Sequence, residues 1–215
     1  INDAGVACGI FMSYQGDGKG TATDIDTEKP DLTSTTLLRL VLDYADSVED
    51  AVELIQQYDL HDSTNCVFHY MIADSTGRSA VLEWVGEDSA HDNDGSQRHL
   101  NVIWNDTDSL SDSADWQIVT NFIKTPDYYT STDEMKGLDR YEHLADRLRA
   151  ANGVLADEDA AMELLAEVGR RTWNNDDGNS FTIHSAVYNL TDKSLLWVGN
   201  EHYGEEVYTF RYSLK

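Results

Sequence analysis

The sequence has little of what membrane proteins, disulfide-rich proteins and nucleic-acid-binding proteins require. It contains two prolines and two cysteines among 215 residues, and only 15 Lys and Arg against 40 Asp and Glu, a formal net charge of −25. No apolar run reaches the roughly 20 residues that a membrane helix needs. Because phosphate binding requires clustered cations, neither nucleic acid nor an anionic membrane is an expected partner. We interpret the acidity as a solvated surface, with a dedicated cation-binding surface as the alternative.

Common catalytic and metal-binding motifs are also missing. The sequence has no GxSxG elbow, no glycine-rich phosphate loop and no HExxH helix, so it lacks the usual signatures of α/β-hydrolases, NTPases and zinc peptidases. Its seven histidines show no ligand-like pairing, so we expect no metal and no cofactor. Cys8 and Cys66 lie in apolar, strand-like stretches. We interpret both as small buried side chains, and a single bridge between them is the alternative.

Hydrophobic periodicity predicts strands and helices in separate blocks. Residues 4–14 are apolar on both faces, which is typical of a strand inside a sheet rather than at its edge. Residues 15–30 and 86–98 have the composition of loops. Helices are predicted from Thr33 and at 48–58, 138–151 and 157–170, and strands at 65–73, 79–85, 99–104, 116–121, 181–190, 194–198 and 206–214. Because no βαβ alternation occurs, we expect an α+β fold with antiparallel sheets, in one domain over residues 1–215.

Four short stretches occur in an order and at spacings known from one enzyme family. They are Asn2-Asp3-Ala4-Gly5-Val6, His69 to Asp74 continuing through Gly77, Ser79 and Glu83, Val119-Thr120-Asn121, and Asp139-Arg140-Tyr141. Each stretch alone is common by chance. Together they resemble the choloylglycine hydrolase family of linear-amide C–N hydrolases, which includes bile salt hydrolases and penicillin V acylases.

The resemblance implies a fold and a mechanism. The family adopts the αββα four-layer sandwich of the N-terminal nucleophile hydrolases, in which an N-terminal cysteine attacks the amide carbonyl and its own α-amino group is the base. Such an amine titrates near pH 8, so no neighbouring histidine is needed. Matching Asn2 to Gly5 with the family implies that Ile1 lies several tens of residues after the nucleophile. That cysteine is therefore expected in an N-terminal segment or partner chain outside residues 1–215.

The resemblance also assigns roles to individual residues. Asn121 matches the asparagine whose side-chain amide supports the tetrahedral intermediate, and Arg140 matches the arginine that orients the nucleophile region. A loop cap for Asn121 and a surface ion pair for Arg140 are the alternatives. Bile salt hydrolases have a second oxyanion asparagine where this sequence has Met12 or a neighbour, which argues against bile salts as substrates. We expect Met12 and Tyr14 at the substrate pocket.

The leading functional interpretation is hydrolysis of a small-molecule N-acyl amide, with acyl transfer of the isopenicillin N acyltransferase type as a close variant. A non-catalytic binding domain of the same fold, or an acidic protein of unrelated fold, are the alternatives. Strands of the nucleophile segment would pair with strands of this chain, so their absence would expose backbone edges. We therefore expect either a partner chain or a homo-oligomer. The compartment is a bacterial cytoplasm or the outside of a bacterium, and of the two we favour the cytoplasm.

Overall fold

The computed structural model describes residues 1–13, 28–61, 67–86, 98–173 and 180–214. Within these ranges, none of the helices combines the length and hydropathy that crossing a membrane requires. The strands are β1 (Ala7–Met12), β2 (Asp31–Thr33), β3 (Asp59–His61), β4 (Phe68–Ala73), β5 (Ser79–Gly86), β6 (Arg98–Trp104), β7 (His184–Asn189), β8 (Ser194–Gly199) and β9 (Thr209–Ser213). The helices are α1 (Ser34–Tyr44), α2 (Val48–Ile55), α3 (Leu138–Ala150), α4 (Glu158–Glu167) and α5 (Arg170–Trp173).

A four-stranded antiparallel sheet, in the order β1-β4-β5-β6, is covered on one face by α1 and α2. Each helix has a side-chain cap: Thr33 and Thr36 form a capping box at α1, and Ser47 Oγ accepts the Asp50 N–H at 3.0 Å at α2. The apolar face of each helix packs on the strands. The buried side chains of this core include Val6, Leu37, Val41, Val48, Ile55, Tyr70, Ile72, Leu82 and Trp84. Burial of each large member stabilises the fold by about 1.5–3 kcal/mol.

The opposite face of this sheet is covered by the long segment between β6 and α3, residues 105–137. Val85 of the sheet shares a buried cluster with Ile123 and Tyr128 of the segment. Side chains alternate along a strand, so His69 and Glu83 point away from the α1 and α2 core and towards this segment. The segment therefore packs on a surface that is partly apolar and partly polar.

The second sheet is also antiparallel, in the order β7-β8-β9. Helix α4 covers one of its faces, where Met162 packs against Leu196 and Val198. Helices thus lie on a face of each antiparallel sheet. The predicted α+β class is confirmed.

The prediction that residues 4–14 form a strand inside a sheet is wrong about its position. β1 stands at the end of the strand order and pairs only with β4 among the described residues, from Ala7 opposite Ala73 to Met12 opposite Phe68. Its side chains are half-buried, apart from the exposed Met12. The apolar pattern arises because one face meets α1 while Phe11 on the other face contacts the ring of His69, with centroids 6.1 Å apart.

The predicted strand at 116–121 is also absent, although Trp116, Ile118 and Thr120 are buried in alternation as they would be in a strand. The carbonyl groups of these three residues accept hydrogen bonds from the side chains of Ser111, Lys124 and His69 rather than from a neighbouring strand. An alternation of apolar and polar residues indicates which side chains can be buried together, but it does not indicate which groups accept the backbone hydrogen bonds.

Smaller differences concern element ends. α2 ends at Ile55, the predicted helix 157–170 is divided into α4 and α5, and a 3₁₀ turn (Glu206–Tyr208) precedes β9. The parallel pairing of β2 with β3 was not predicted, because three-residue strands are too short to show a periodicity. Most of the two predicted loops, and Cys66, lie outside the described residues.

Candidate active site

Asn121 and Arg140 are in direct contact. Arg140 Nη2 donates to Asn121 Oδ1 at 2.5 Å, and Asn121 Nδ2 donates to the carbonyl oxygen of Met12 at 2.7 Å. Arginine can only donate and a carbonyl can only accept, so the two partners fix which end of the amide is the nitrogen. The second N–H of this amide has no acceptor among the described residues.

A glycine before α3 makes the contact possible. Gly137 has a φ of +79°, and a Cβ built there would lie 2.6 Å from Arg140 Nη2 and 3.2 Å from Thr120 Cβ. Any other residue would displace one of these groups and would be strained in this backbone conformation. Gly137 thus lets the guanidinium group pass close to the backbone and reach Asn121.

Asn121 and Arg140 line a cavity of about 830 Å³, a size in the range of small-molecule pockets. The other lining residues are Glu134, Met135, Lys136, Gly137, Asp139, Val168, Arg170, Trp173 and Thr182. Met12 contacts the site through its carbonyl oxygen and is not among these lining residues, and its side chain is 37% exposed. Tyr14 lies outside the described residues.

Asp139, an acidic residue of the cavity lining, lies beside Arg140 and compensates its positive charge. The indole nitrogen of Trp173 donates to Asp139 Oδ2 at 2.7 Å. Desolvation would raise the pKa of Asp139, but hydrogen bonds from Trp173 and from the backbone of Arg140, together with the charge of Arg140, outweigh it and lower the pKa. Asp139 is therefore ionised at neutral pH.

Buried polar side chains anchor the segment that carries Asn121. Lys124 and Asp108 form an ion pair in which each side chain is 1% exposed, and Lys124 Nζ also donates to the carbonyl oxygen of Ile118 at 2.9 Å. Desolvation lowers the pKa of Lys124, and the charge of Asp108 opposes this effect. Sequence reasoning missed the pair, because an isolated Lys and an isolated Asp usually indicate exposed positions.

A second buried pair lies below the same segment. His69 Nδ1 is 3.0 Å from Glu83 Oε1, and His69 Nε2 is 3.0 Å from the carbonyl oxygen of Thr120. Both side chains are fully buried. The resemblance described above included both residues but gave neither a role, so the tertiary contact is the first indication of one.

Cys8 has none of the properties of a nucleophile. It is a free thiol in β1, and desolvation raises its pKa to about 12, an increase that the charge of the Ile1 α-amino group offsets only in part. Since the thiolate is the reactive form, the group is inert at neutral pH. This agrees with the interpretation of Cys8 as a core residue.

One group in the described part of the chain brings three potential metal-ligand side chains together. Oxygen atoms of Asp31 and Asp59 and a ring nitrogen of His61 lie within 4.8 Å of one another, at the β2–β3 pair. His61 Nε2 already forms an ion pair with Asp31 at 3.3 Å, and the Asp31 side chain is 80% exposed. Asp59 is buried, but exposed acidic groups such as Asp31 are common without a metal, so the cluster does not alter the expectation that no metal is used.

Comparison with known proteins adds a family and a fold. The family model for acyl-coenzyme A:6-aminopenicillanic acid acyl-transferase matches residues 1–201. A comparison with curated proteins finds no match. Penicillin V acylase from Agrobacterium tumefaciens is similar in structure, with a TM-score of 0.59 and 18% identity, over 93% of this chain and 61% of that one. This chain therefore spans less than two thirds of that acylase.

Two variants of the conjugated bile acid hydrolase from Clostridium perfringens are also similar in structure. Each is 17% identical, with TM-scores of 0.60 and 0.62, over 98% and 99% of this chain and 70% and 71% of theirs. At such identities the likeness shows the fold alone, which is the αββα sandwich of the N-terminal nucleophile hydrolases. The resemblance to choloylglycine hydrolases that four short stretches indicated is confirmed. With nearly its whole length matched, the chain belongs to the acyl-coenzyme A:6-aminopenicillanic acid acyl-transferase family.

Proposed function

We propose that this chain forms part of an enzyme that cleaves a linear amide C–N bond in a small N-acyl amide. A cysteine supplied by polypeptide outside residues 1–215 is its nucleophile. The observation that carries the proposal is the contact between Arg140 and Asn121 at the cavity, which orients an uncharged amide with a spare N–H. Such a donor stabilises the negative charge that develops on an attacked carbonyl oxygen, and it does so without competing for the proton.

The proposed chemistry divides hydrolysis into two steps. The cysteine sulfur attacks the amide carbonyl carbon while its own α-amino group takes the thiol proton, and Asn121 donates to the resulting oxyanion. The C–N bond then breaks, the amine leaves with that proton, and a thioester remains. Water attacks the thioester, the carboxylic acid leaves, and the thiol is restored.

Acyl transfer is the second candidate, because the matching family is named for an acyltransferase. In this variant an amine replaces water in the second step and the acyl group passes to nitrogen. The same Asn121 amide stabilises both oxyanions. The two reactions therefore differ in the acceptor and not in the residues described above.

Two buried hydroxyl groups support the proposal that an additional polypeptide segment binds at the site. Ser13 Oγ and Thr120 Oγ1 are buried and have no hydrogen-bond partner among the described residues, and they adjoin Met12 and Asn121 in sequence. Buried polar groups rarely lack partners. We propose that groups of the nucleophile segment pair with these hydroxyls and complete a single domain with residues 1–215.

An apolar sheet face supports the same conclusion. The face of β7-β8-β9 opposite to Leu196 and Val198 carries the cross-strand neighbours Tyr188, Leu195, Trp197, Phe210 and Tyr212. Of these, Tyr212 is 58% and Tyr188 is 45% exposed. Exposed apolar patches of this kind mark interaction surfaces. A nucleophile segment, a partner chain or a second copy of this chain would bury it.

The test is to read the coding sequence upstream of Ile1 and to express the chain with any segment found there. We expect an N-terminal cysteine and turnover of an N-acyl amide such as penicillin V, followed by release of the acid. Supplying 6-aminopenicillanic acid as acceptor separates transfer from hydrolysis by product mass. Absence of any cysteine from the polypeptide that completes the fold would leave a non-catalytic binding domain and would refute the proposal.

A further inference from the structure

We propose that His69 and Glu83 form a buried ion pair that positions Asn121, so that both act as positioning residues although neither lines the cavity. The kinetic part of this inference rests on the proposed function. Its structural part does not, because it concerns only how the chain holds one loop.

The hydrogen-bond partners of the two side chains favour a negative charge on Glu83 and a positive charge on His69. Glu83 Oε2 accepts from the Thr125 N–H and hydroxyl, both at 2.8 Å, and Oε1 accepts from the Lys124 N–H at 2.8 Å. Three donors around one carboxyl group favour its ionised form, which is the form that we assign to Glu83. His69 Nδ1 faces this carboxylate and Nε2 faces the carbonyl oxygen of Thr120, and both oxygens only accept. With Glu83 ionised, both ring nitrogens donate, so the proposal assigns a proton to each of them and a positive charge to the imidazole.

The pair holds the loop on both sides of Asn121. The bond from His69 fixes Thr120, the residue immediately before Asn121, and the bonds to Glu83 fix Lys124 and Thr125 after it. No strand ladder holds residues 116–121, so these side chains take the place of a neighbouring strand. Displacement of Thr120 would move the Asn121 amide away from both Met12 and Arg140.

Energetics argue against a role in packing alone. An apolar pair of similar volume would fill the same space without the desolvation of two charges. Here the charges satisfy three backbone groups of one loop, which an apolar pair cannot do. Removing one charge leaves the other buried without its partner, so the geometry of the loop depends on both.

The first test requires no activity and uses the chain together with any segment that completes its fold. ¹⁵N NMR of His69 at the pH of the assay should show protons on both ring nitrogens, and the amide protons of Lys124 and Thr125 should exchange slowly with solvent. A singly protonated ring would overturn the ion pair without any variant having to fold.

The second test compares variants. Glu83→Gln keeps the size of the side chain but places an NH₂ group where only acceptors fit, and His69→Gln removes the cation. In each, we expect the side-chain amide signals of Asn121 to shift. In the protein that carries the nucleophile, kcat should fall about 100-fold with KM nearly unchanged, because a displacement of about 1 Å can lower a rate that much.

Tyr70→Phe is the matched control. Tyr70 adjoins His69 on the opposite face of β4 and donates to the carbonyl oxygen of Ser34 at 3.1 Å, so this variant loses a buried hydrogen bond away from the loop. It should lower stability and leave both kcat and the Asn121 signals unchanged. Equal losses of kcat in Tyr70→Phe and Glu83→Gln would show a merely structural role and overturn the proposal.

The two proposals fail in different ways. Shifted Asn121 signals in a protein without amidase or transferase activity would support the positioning role and refute the proposed function. Unchanged Asn121 signals and unchanged kcat in Glu83→Gln and His69→Gln would refute the positioning role, while the activity itself would support the proposed function.

Discussion

Arg140 fixes the orientation of the Asn121 amide. The guanidinium group contacts Oδ1 at 2.5 Å, so the amide nitrogen is directed to the Met12 carbonyl and to the open part of the site. Without a donor-only partner, the amide could rotate by 180° and present an oxygen where a donor is required. Under the proposed function, Arg140 would therefore decide whether Asn121 presents a donor to the oxyanion.

Replacing Asn121 by alanine tests the oxyanion role. In the protein that carries the nucleophile, Asn121→Ala should lower kcat by about 10²–10³-fold, because one oxyanion donor is lost. Steady-state kinetics and a thermal unfolding curve measure activity and stability. Asn189→Ala is the control, since Asn189 donates to Glu158 outside the cavity lining. Normal turnover in Asn121→Ala would remove Asn121 from the mechanism.

A conservative change at Arg140 tests the orientation. Arg140→Lys keeps the charge but loses the planar guanidinium group that reaches Asn121 Oδ1. We expect kcat to fall about 10-fold or more, consistent with loss of one charge-assisted bond of roughly 1.5–3 kcal/mol. Arg147→Lys on the same helix, whose partner is Glu167, should change little. If kcat is equal in the two variants, the Asn121 amide does not depend on Arg140.

Alanine substitutions at two glycines distinguish the effect of backbone strain from the effect of a steric contact with Arg140. Gly137→Ala and Gly77→Ala each place a side chain at positive φ, +79° and +87°, which destabilises by about 1–2 kcal/mol. A Cβ at 137 also meets Arg140 Nη2 at 2.6 Å, whereas one at 77 meets nothing within 4 Å. Both variants should unfold at lower denaturant concentrations, and only Gly137→Ala should lose activity. Full activity in Gly137→Ala would show that Arg140 relocates without effect.

Because the Cys8 thiol is largely buried, we expect its contribution to the stability of the fold to depend on pH. With the pKa of Cys8 raised from 9.0 to about 12, the unfolded chain loses this proton at lower pH than the folded chain does. The contribution of Cys8 to stability is therefore constant below pH 9 and falls as the pH rises from 9 to 12, by at most about 1.4 kcal/mol per pH unit. Urea unfolding at several pH values, compared with Cys8→Ala, isolates this slope.

The same thiol should resist alkylation. Iodoacetamide at pH 8 should modify Cys8 slowly in the folded chain and rapidly in urea, as peptide masses will show, because only the thiolate reacts. Rapid labelling in the folded chain would contradict the raised pKa and would reopen Cys8 as a nucleophile.

Because Lys124 and Asp108 form a buried ion pair, we expect substitutions of the two residues to have non-additive effects on the free energy of unfolding. Lys124→Met or Asp108→Leu alone should lower the free energy of unfolding by about 3–5 kcal/mol, because each leaves a buried charge unpaired. The double variant should lose less than the sum of the two. Urea denaturation of the four proteins gives the coupling energy, and additive losses would show that the two charges do not interact.

Much of the fold could be predicted from sequence because it depends on local periodicity. The spacing of Leu37 and Val41 predicts α1, Ser47 marks the start of α2, and Gly77 marks the β4–β5 turn. The positions of Asn121 and Arg140 came from the resemblance to a family, and the structure brings the two side chains together. Their catalytic roles are a prediction for the experiments above.

Other features required the tertiary structure. The sequence itself determined that the chain is acidic and that its helices and strands occur in separate blocks. It could not show that β1 stands at the end of the strand order among the described residues, that the 116–121 backbone bonds to side chains, or that His69, Glu83, Lys124 and Asp108 are buried in pairs. Periodicity reflects which side of a segment is apolar, whereas the charge state and function of a polar side chain depend on partners that lie far away in the chain. Those partners become neighbours only when the sheet and the segment over it pack together.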